Sequence, residues 1–150
     1  MENQLPGPGL RDLEVAALLR TTVGRLVKLM RRETRNESQL SLTERSTMAT
    51  LYPDIQLAPT EIARMEKVTT QSMSQVINHL VELNYIGRTP SDDDKRKTML
   101  RLTDAGRARV EQGRQEKQEW LAQMLHQRVT AQEKEVLVES IRILNKLIDE

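Results

Sequence analysis

Apolar residues recur along this chain at spacings of three and four, with one short interval where they alternate instead. Between residues 10 and 36, Leu13, Ala16, Ala17, Val23, Leu26, Val27 and Met30 share a helical stripe, which predicts a long first helix. Ser41 opens a second helix, with Glu44 three residues on in a capping-box arrangement and Pro53 as its stop. The stretch "APTEIARMEK" predicts a short third helix with Pro59 in its first turn, where a missing N–H costs little. A fourth opens at Thr69 or Thr70 and closes near Asn84, a residue that tolerates the left-handed conformation. From Ile86 to Leu102 the period drops to two, and two short strands are expected around a loop at Pro90–Arg96. Helix resumes at Asp104, in two pieces divided near Val129–Thr130, where Thr-Ala-Gln-Glu supplies another capping box. The last piece carries Leu137, Ile141, Leu144 and Ile148, one side of a coiled-coil-like seam. That seam and the apolar excess of the first helix predict a dimer built from the two ends of the chain.

Composition narrows the chemistry. The chain has 150 residues, only 2% of them aromatic and no Phe, so its core has to be built from Leu, Ile, Val, Met and Ala. The absence of Cys excludes disulfides and thiolate metal sites. No apolar run approaches the roughly 20 residues needed to cross a bilayer. The opening "MENQLPGPGL" lacks a secretory pattern and reads as a short arm over residues 1–9, so a soluble, cytoplasmic protein is expected. With two His, no Gly-rich phosphate loop and no Gly-x-Ser-x-Gly turn, nothing assembles a catalytic site, and neither enzyme activity nor a cofactor is expected. The run Asp92-Asp93-Asp94 lacks the alternating spacing of a calcium loop, so no metal is expected either. A net charge of +1 leaves nucleic acid open, because a local basic patch is what binds phosphate.

The fourth helix narrows the choice. Met73, Val76, Ile77 and Leu80 make one apolar face, while Gln71, Ser74, Gln75 and Asn78 make the opposite one. A face meant only for water usually carries Lys and Glu. Neutral groups that donate and accept hydrogen bonds suit base edges in a major groove. A short helix, a turn and a second helix of this kind form a helix-turn-helix, and the strand pair that follows is then a wing. Its tip runs from Asp92 to Lys97. In this reading Arg96 enters the adjacent minor groove, Lys95 and Lys97 lie near phosphates, and Asp94 orients the Arg96 guanidinium.

The run from Leu42 to Gly106 resembles the MarR family of bacterial winged helix-turn-helix regulators. The resemblance is carried by Leu42-Thr43, by Glu61-Ile62-Ala63, by "VTTQSMSQVINHLVELNYI", and above all by Asp94-Lys95-Arg96 followed by Leu102-Thr103 and Gly106. It implies a mainly α fold with a small β-wing, dimerised through its N- and C-terminal helices. The DNA-binding domain would span residues 37–103, and the dimerisation region residues 10–36 and 104–150. By position, Thr70, Gln71, Ser72, Ser74 and Gln75 match the family's groove-facing residues and Arg96 its wing-tip arginine. Thr43 and Thr60 are expected at phosphates, with Asn78, His79 and Arg88 completing the DNA-binding set beside Asp94, Lys95 and Lys97. The resemblance also implies a homodimer on double-stranded DNA, acting as a repressor. It further implies a small apolar or phenolic effector in a pocket lined by Leu26, Met30, Met48, Tyr52 and Met65. Two departures stand out: Glu66-Lys67 replaces the family's usual apolar residue and Gly, and Asn84 replaces the usual Gly before the wing. The alternative function is a winged-helix protein-interaction module without specific DNA binding.

Overall fold

The computed structural model describes residues 9–34, 40–52 and 54–149. In chain order these form α1 (Leu10–Glu33), α2 (Leu42–Leu51), α3 (Pro59–Met65), α4 (Thr70–Glu82), β1 (Ile86–Pro90), β2 (Thr98–Leu102), α5 (Asp104–Arg128) and α6 (Ala131–Asn145). The chain divides into two compact units, a terminal one of Met1–Asn36 with Lys117–Glu150 and a winged one of Glu37–Glu116. The boundary falls inside α5, whose opening turns therefore belong with the strands.

Helix starts follow the side chains that satisfy their first N–H groups. Ser41 Oγ accepts from the Glu44 N–H at 3.2 Å, and the Glu44 carboxylate accepts from the Ser41 N–H at 2.6 Å. Thr69 Oγ1 accepts from the Ser72 N–H at 3.1 Å to open α4, and Thr130 does the same for Glu133 at 3.3 Å to open α6. Ala58 has no side chain to cap α3. The Glu61 carboxylate takes the Ala58 N–H at 2.7 Å, and Pro59 removes a donor that would otherwise be orphaned.

One helix end differs from expectation. Helix α1 is described to Glu33 with Thr34 as its C-cap, whose N–H, at 2.9 Å, and hydroxyl, at 2.8 Å, both reach the Met30 carbonyl. The expected continuation to residue 36 lies outside the described residues, as do Pro53 and residues 1–8 of the expected arm. At the other end α6 stops at Asn145, and Ile148 sits in the turn beyond it, with its N–H on the Asn145 carbonyl at 3.0 Å. Ile148 is therefore not part of the helical seam assigned to it.

The winged unit has an aliphatic and Met core, as the composition required. Met48 and Leu51 come from α2, Ile62 and Ala63 from α3, Met73, Ile77 and Leu80 from α4, and Ile86, Leu100 and Leu102 from the strands. Each large side chain buried this way contributes about 1.5–3 kcal/mol relative to exposure. The strands pair antiparallel, from Ile86 opposite Leu102 to Pro90 opposite Thr98. Leu57, just before α3, adds a one-residue bridge to Leu100 through N–H···O bonds of 3.2 and 2.8 Å.

The Leu-Thr-x-x-Gly run after the wing has a physical basis. The Thr103 hydroxyl donates to the Asn84 carbonyl at 2.6 Å and accepts from the Gly106 N–H at 3.0 Å, so it joins the end of α4 to the start of α5. Gly106 is buried directly under the Tyr85 carbonyl.

Asp54, Lys67 and Asn84 have φ of 64°, 54° and 59°, so both departures from the family's glycines keep the left-handed backbone. Lysine pays about 1–2 kcal/mol of steric strain in that region. Because Lys67 is exposed, Lys67→Gly should stabilise the protein by about 0.5–1 kcal/mol after the entropy of the added glycine is counted. Urea unfolding midpoints decide this, and a lower midpoint for the variant would mean that the lysine side chain contributes more than its strain.

In the terminal unit, α1 and α6 bury none of their described residues. Leu10, Leu13, Leu18, Leu147 and Ile148 are all more than half exposed.

Candidate nucleic-acid interface

Burial of Met73, Ile77 and Leu80 fixes the rotation of α4 and leaves Thr70, Gln71, Ser72, Ser74, Gln75 and Asn78 exposed. Their local bonds define what each can offer. The Ser74 hydroxyl donates to the Thr70 carbonyl at 2.8 Å, which leaves its oxygen free to accept. Ser72 Oγ takes the Thr69 hydroxyl at 2.9 Å and is tied into the helix cap. Arg88 reaches across from β1 and donates to Asn78 Oδ1 at 2.6 Å, which turns the Asn78 NH2 away from the strand. His79, on the flank of α4, pairs through Nδ1 with Glu44 Oε1 of α2.

The wing tip is closed by Ser91 N–H on the Lys97 carbonyl at 2.9 Å and Lys97 N–H on the Asp94 carbonyl at 2.8 Å. Asp94 Oδ1 accepts from both the Arg96 N–H at 3.1 Å and Arg96 Nε at 3.2 Å. This is the orientation expected from the sequence, and it leaves the Arg96 side chain 92% exposed. Lys95 and Lys97 flank it, also exposed, while Thr43 is half-buried near the start of α2 and Thr60 exposed near the start of α3. Glu66, at the departure from the family pattern, accepts from Ser46 at 3.0 Å and Thr50 at 3.2 Å. These bonds tie the turn of the helix-turn-helix to α2.

The suggested effector-lining residues fall in both units. Met48 is in the winged core and Met65 is 54% exposed, while Leu26 and Met30 belong to α1 in the terminal unit. Tyr52 packs against the apolar core and also meets charged groups. The guanidinium carbons of Arg114 and Arg107 lie 3.7 and 5.7 Å from its ring centroid, and its hydroxyl donates to Glu111 at 3.2 Å. Arg107 also pairs with Asp54 at 3.1 Å.

Sequence reasoning missed two partnerships, Glu44 with His79 and Tyr52 with its arginines. Glu44 was legible only as a capping residue, and nothing local points to a histidine 35 residues away. Among the described residues no acidic or His cluster is arranged to hold a metal ion, and no helix is long and apolar enough to cross a membrane.

Three helices, a turn, and a hairpin with an exposed arginine at its tip beside an outward face of neutral polar groups define a winged helix-turn-helix protein. A model described as the MarR family matches residues 40–98. An HTH-type transcriptional regulator of Mycobacterium tuberculosis is 30% identical over 140 residues, covering 93% of this chain and 96% of that relative. Among solved structures, transcriptional regulator Tm0710 of Thermotoga maritima superposes with a TM-score of 0.79 at 14% identity, over 91% of this chain and 95% of that one. Wild-type MarR of E. coli in its apo form gives 0.68 at 20% identity, over 97% of this chain and 100% of that one. The chain belongs to the MarR family and is a DNA-binding transcriptional regulator of that family.

Proposed function

We propose that the chain acts as a homodimeric repressor on an inverted-repeat operator, with α4 of each protomer in a major groove and its wing in the adjacent minor groove. The observation that carries this reading is the exposed face of Gln71, Ser74, Gln75 and Asn78 on a helix whose other face is locked into the core. Those groups read bases, while Thr43, Thr60, Lys95 and Lys97 serve phosphates and Arg96 serves the minor groove. The unburied leucines and isoleucines of α1 and the C-terminal segment support a second copy as their cover. Repression follows where such a dimer covers a promoter. A small apolar or phenolic effector would act by releasing it, and the selected operator is the reagent with which to screen for one.

Selection of bound sequences from a random duplex pool at near-physiological salt tests the proposal. The expected product is an A/T-rich inverted repeat with half-sites about one helical turn apart. An unenriched pool with weak, steeply salt-dependent binding would reject specific readout and favour the protein-interaction module. On the selected site, Gln71→Ala is expected to cost about 1–3 kcal/mol, with little loss on random DNA. Arg96→Ala should cost at most about 3 kcal/mol and flatten the A/T preference at the wing positions. Fluorescence anisotropy titrations on both duplexes separate the two effects, and equal losses on both for Gln71→Ala would remove α4 as the reader.

A further inference from the structure

His79 stands 40% exposed on the flank of α4, and its Nδ1 faces a Glu44 side chain that is only 8% exposed. The second Glu44 oxygen is already taken by the Ser41 N–H at 2.6 Å. Burial alone would raise the Glu44 carboxyl. Hydrogen bonds from His79 and Ser41, with the imidazole charge, outweigh it and hold the group below its ordinary range. Glu44 is therefore an ionised, acceptor-only partner near neutral pH.

An acceptor-only partner requires the proton to sit on Nδ1. Neutral imidazole has one N–H, so once it is spent on Glu44 the other nitrogen, Nε2, is a bare acceptor. A DNA phosphate is an acceptor too. Only the imidazolium, with a proton on each nitrogen, donates to Glu44 and to a phosphate at the same time.

We infer that Glu44 is a positioning residue that makes the His79–phosphate contact conditional on a bound proton, so that DNA affinity falls as pH rises. The inference rests on the reading of α4 as the DNA-contacting helix. Its sign follows from linkage: the DNA-bound state holds more protons than the free state, so acid favours binding. Several charged groups on the elements packed against α4 are bonded elsewhere. On α3, Glu61 bonds the Ala58 N–H, Glu66 bonds Ser46 and Thr50, and Arg64 is exposed. On β1, Arg88 bonds Asn78, while Arg45 follows Glu44 on α2 and Glu82 lies one turn along α4.

The test is the affinity of the full-length protein for the selected duplex across about pH 6 to 8.5, the range in which histidines titrate. Wild-type affinity should fall with rising pH by up to about tenfold per pH unit for each protomer. Glu44→Gln gives an opposite and specific outcome. The Ser41 N–H still demands an oxygen, so the new amide turns its NH2 to Nδ1 and moves the ring proton to Nε2. A neutral ring then donates to phosphate without an added proton, and binding should stay tight with a flat pH profile. His79→Gln should be weaker and flat, whereas His126→Gln should keep the wild-type slope.

A flat wild-type profile overturns the inference, and so does a Glu44→Gln protein that keeps the wild-type slope. If Glu44→Gln melts too low to bind, imidazole nitrogen-15 shifts of wild-type protein at high pH decide instead. A proton on Nδ1 supports the proposal and a proton on Nε2 overturns it. Failure to enrich any duplex even at low pH rejects the DNA-binding reading itself, whereas an enriched duplex bound equally at every pH rejects only the role of Glu44.

Discussion

Gly106→Ala should cost the winged unit most of its stability. A Cβ built at Gly106 would lie 2.0 Å from the Tyr85 carbonyl oxygen and 2.9 Å from its carbon. Both are backbone atoms, so no side-chain rotation relieves the clash. The same carbonyl accepts the Thr103 N–H at 3.1 Å, and the Gly106 N–H is held by Thr103 Oγ1. Moving α5 away to make room would break that junction, including the Thr103 bond to Asn84. A loss of about 3–5 kcal/mol is expected, in the range where overpacking combines with lost hydrogen bonds. Gly113→Ala is the internal control on the same helix. The nearest atom to a Cβ there is the end of the Arg109 side chain at 3.8 Å. That change should stabilise by about 0.5–1 kcal/mol through helix propensity. Thermal melts followed by circular dichroism should therefore move in opposite directions for two identical substitutions, and a shared direction would refute the role given to the Tyr85 contact.

The second large effect is expected from the terminal unit. Leu137 and Ile141 lie one helical turn apart on α6, and both are at least 40% exposed. Leu137→Glu with Ile141→Glu puts two like charges wherever a partner copy covers that face, without disturbing a buried side chain. Sedimentation equilibrium should show a monomer with native helix content. Operator affinity should then fall by about 100-fold or more, because the second half-site no longer benefits from the tether of the first. A variant that still sediments as a dimer would place the interface away from α6.

Much of this architecture could be read from residues close together in the chain. The capping boxes at Ser41 and Thr130, the Pro59 start, and the two faces of α4 are local patterns, and they hold. Asn84 and Lys67 adopt the left-handed backbone that glycine usually supplies. The wing pair of Asp94 and Arg96 was also legible, since only one residue separates them. What was not legible depends on contacts across long separations. The Leu57–Leu100 bridge is a single residue pair and has no period to detect. Tyr52 meets Glu111, 59 positions away, and Arg114. Ile148 fits the helical spacing, but Lys146 caps the helix before reaching it, and spacing says nothing about where a terminal helix frays.

The balance of charge at the wing tip bears on how fast an operator is found. Asp92, Asp93 and Asp94 offset Lys95, Arg96 and Lys97, and Asp94 holds the Arg96 guanidinium. Grip on arbitrary duplex grows with the number of uncompensated cations that displace counterions. A tip with no net charge adds little of that grip, so it does not retard one-dimensional sliding. In the proposed interface Arg96 would leave its carboxylate for the groove only where a narrow A/T minor groove concentrates enough negative potential to compete with it. On the proposed binding mode the acids next to the arginine would serve the search itself: they would keep the protein moving over the wrong sequences and let it stop at the right one.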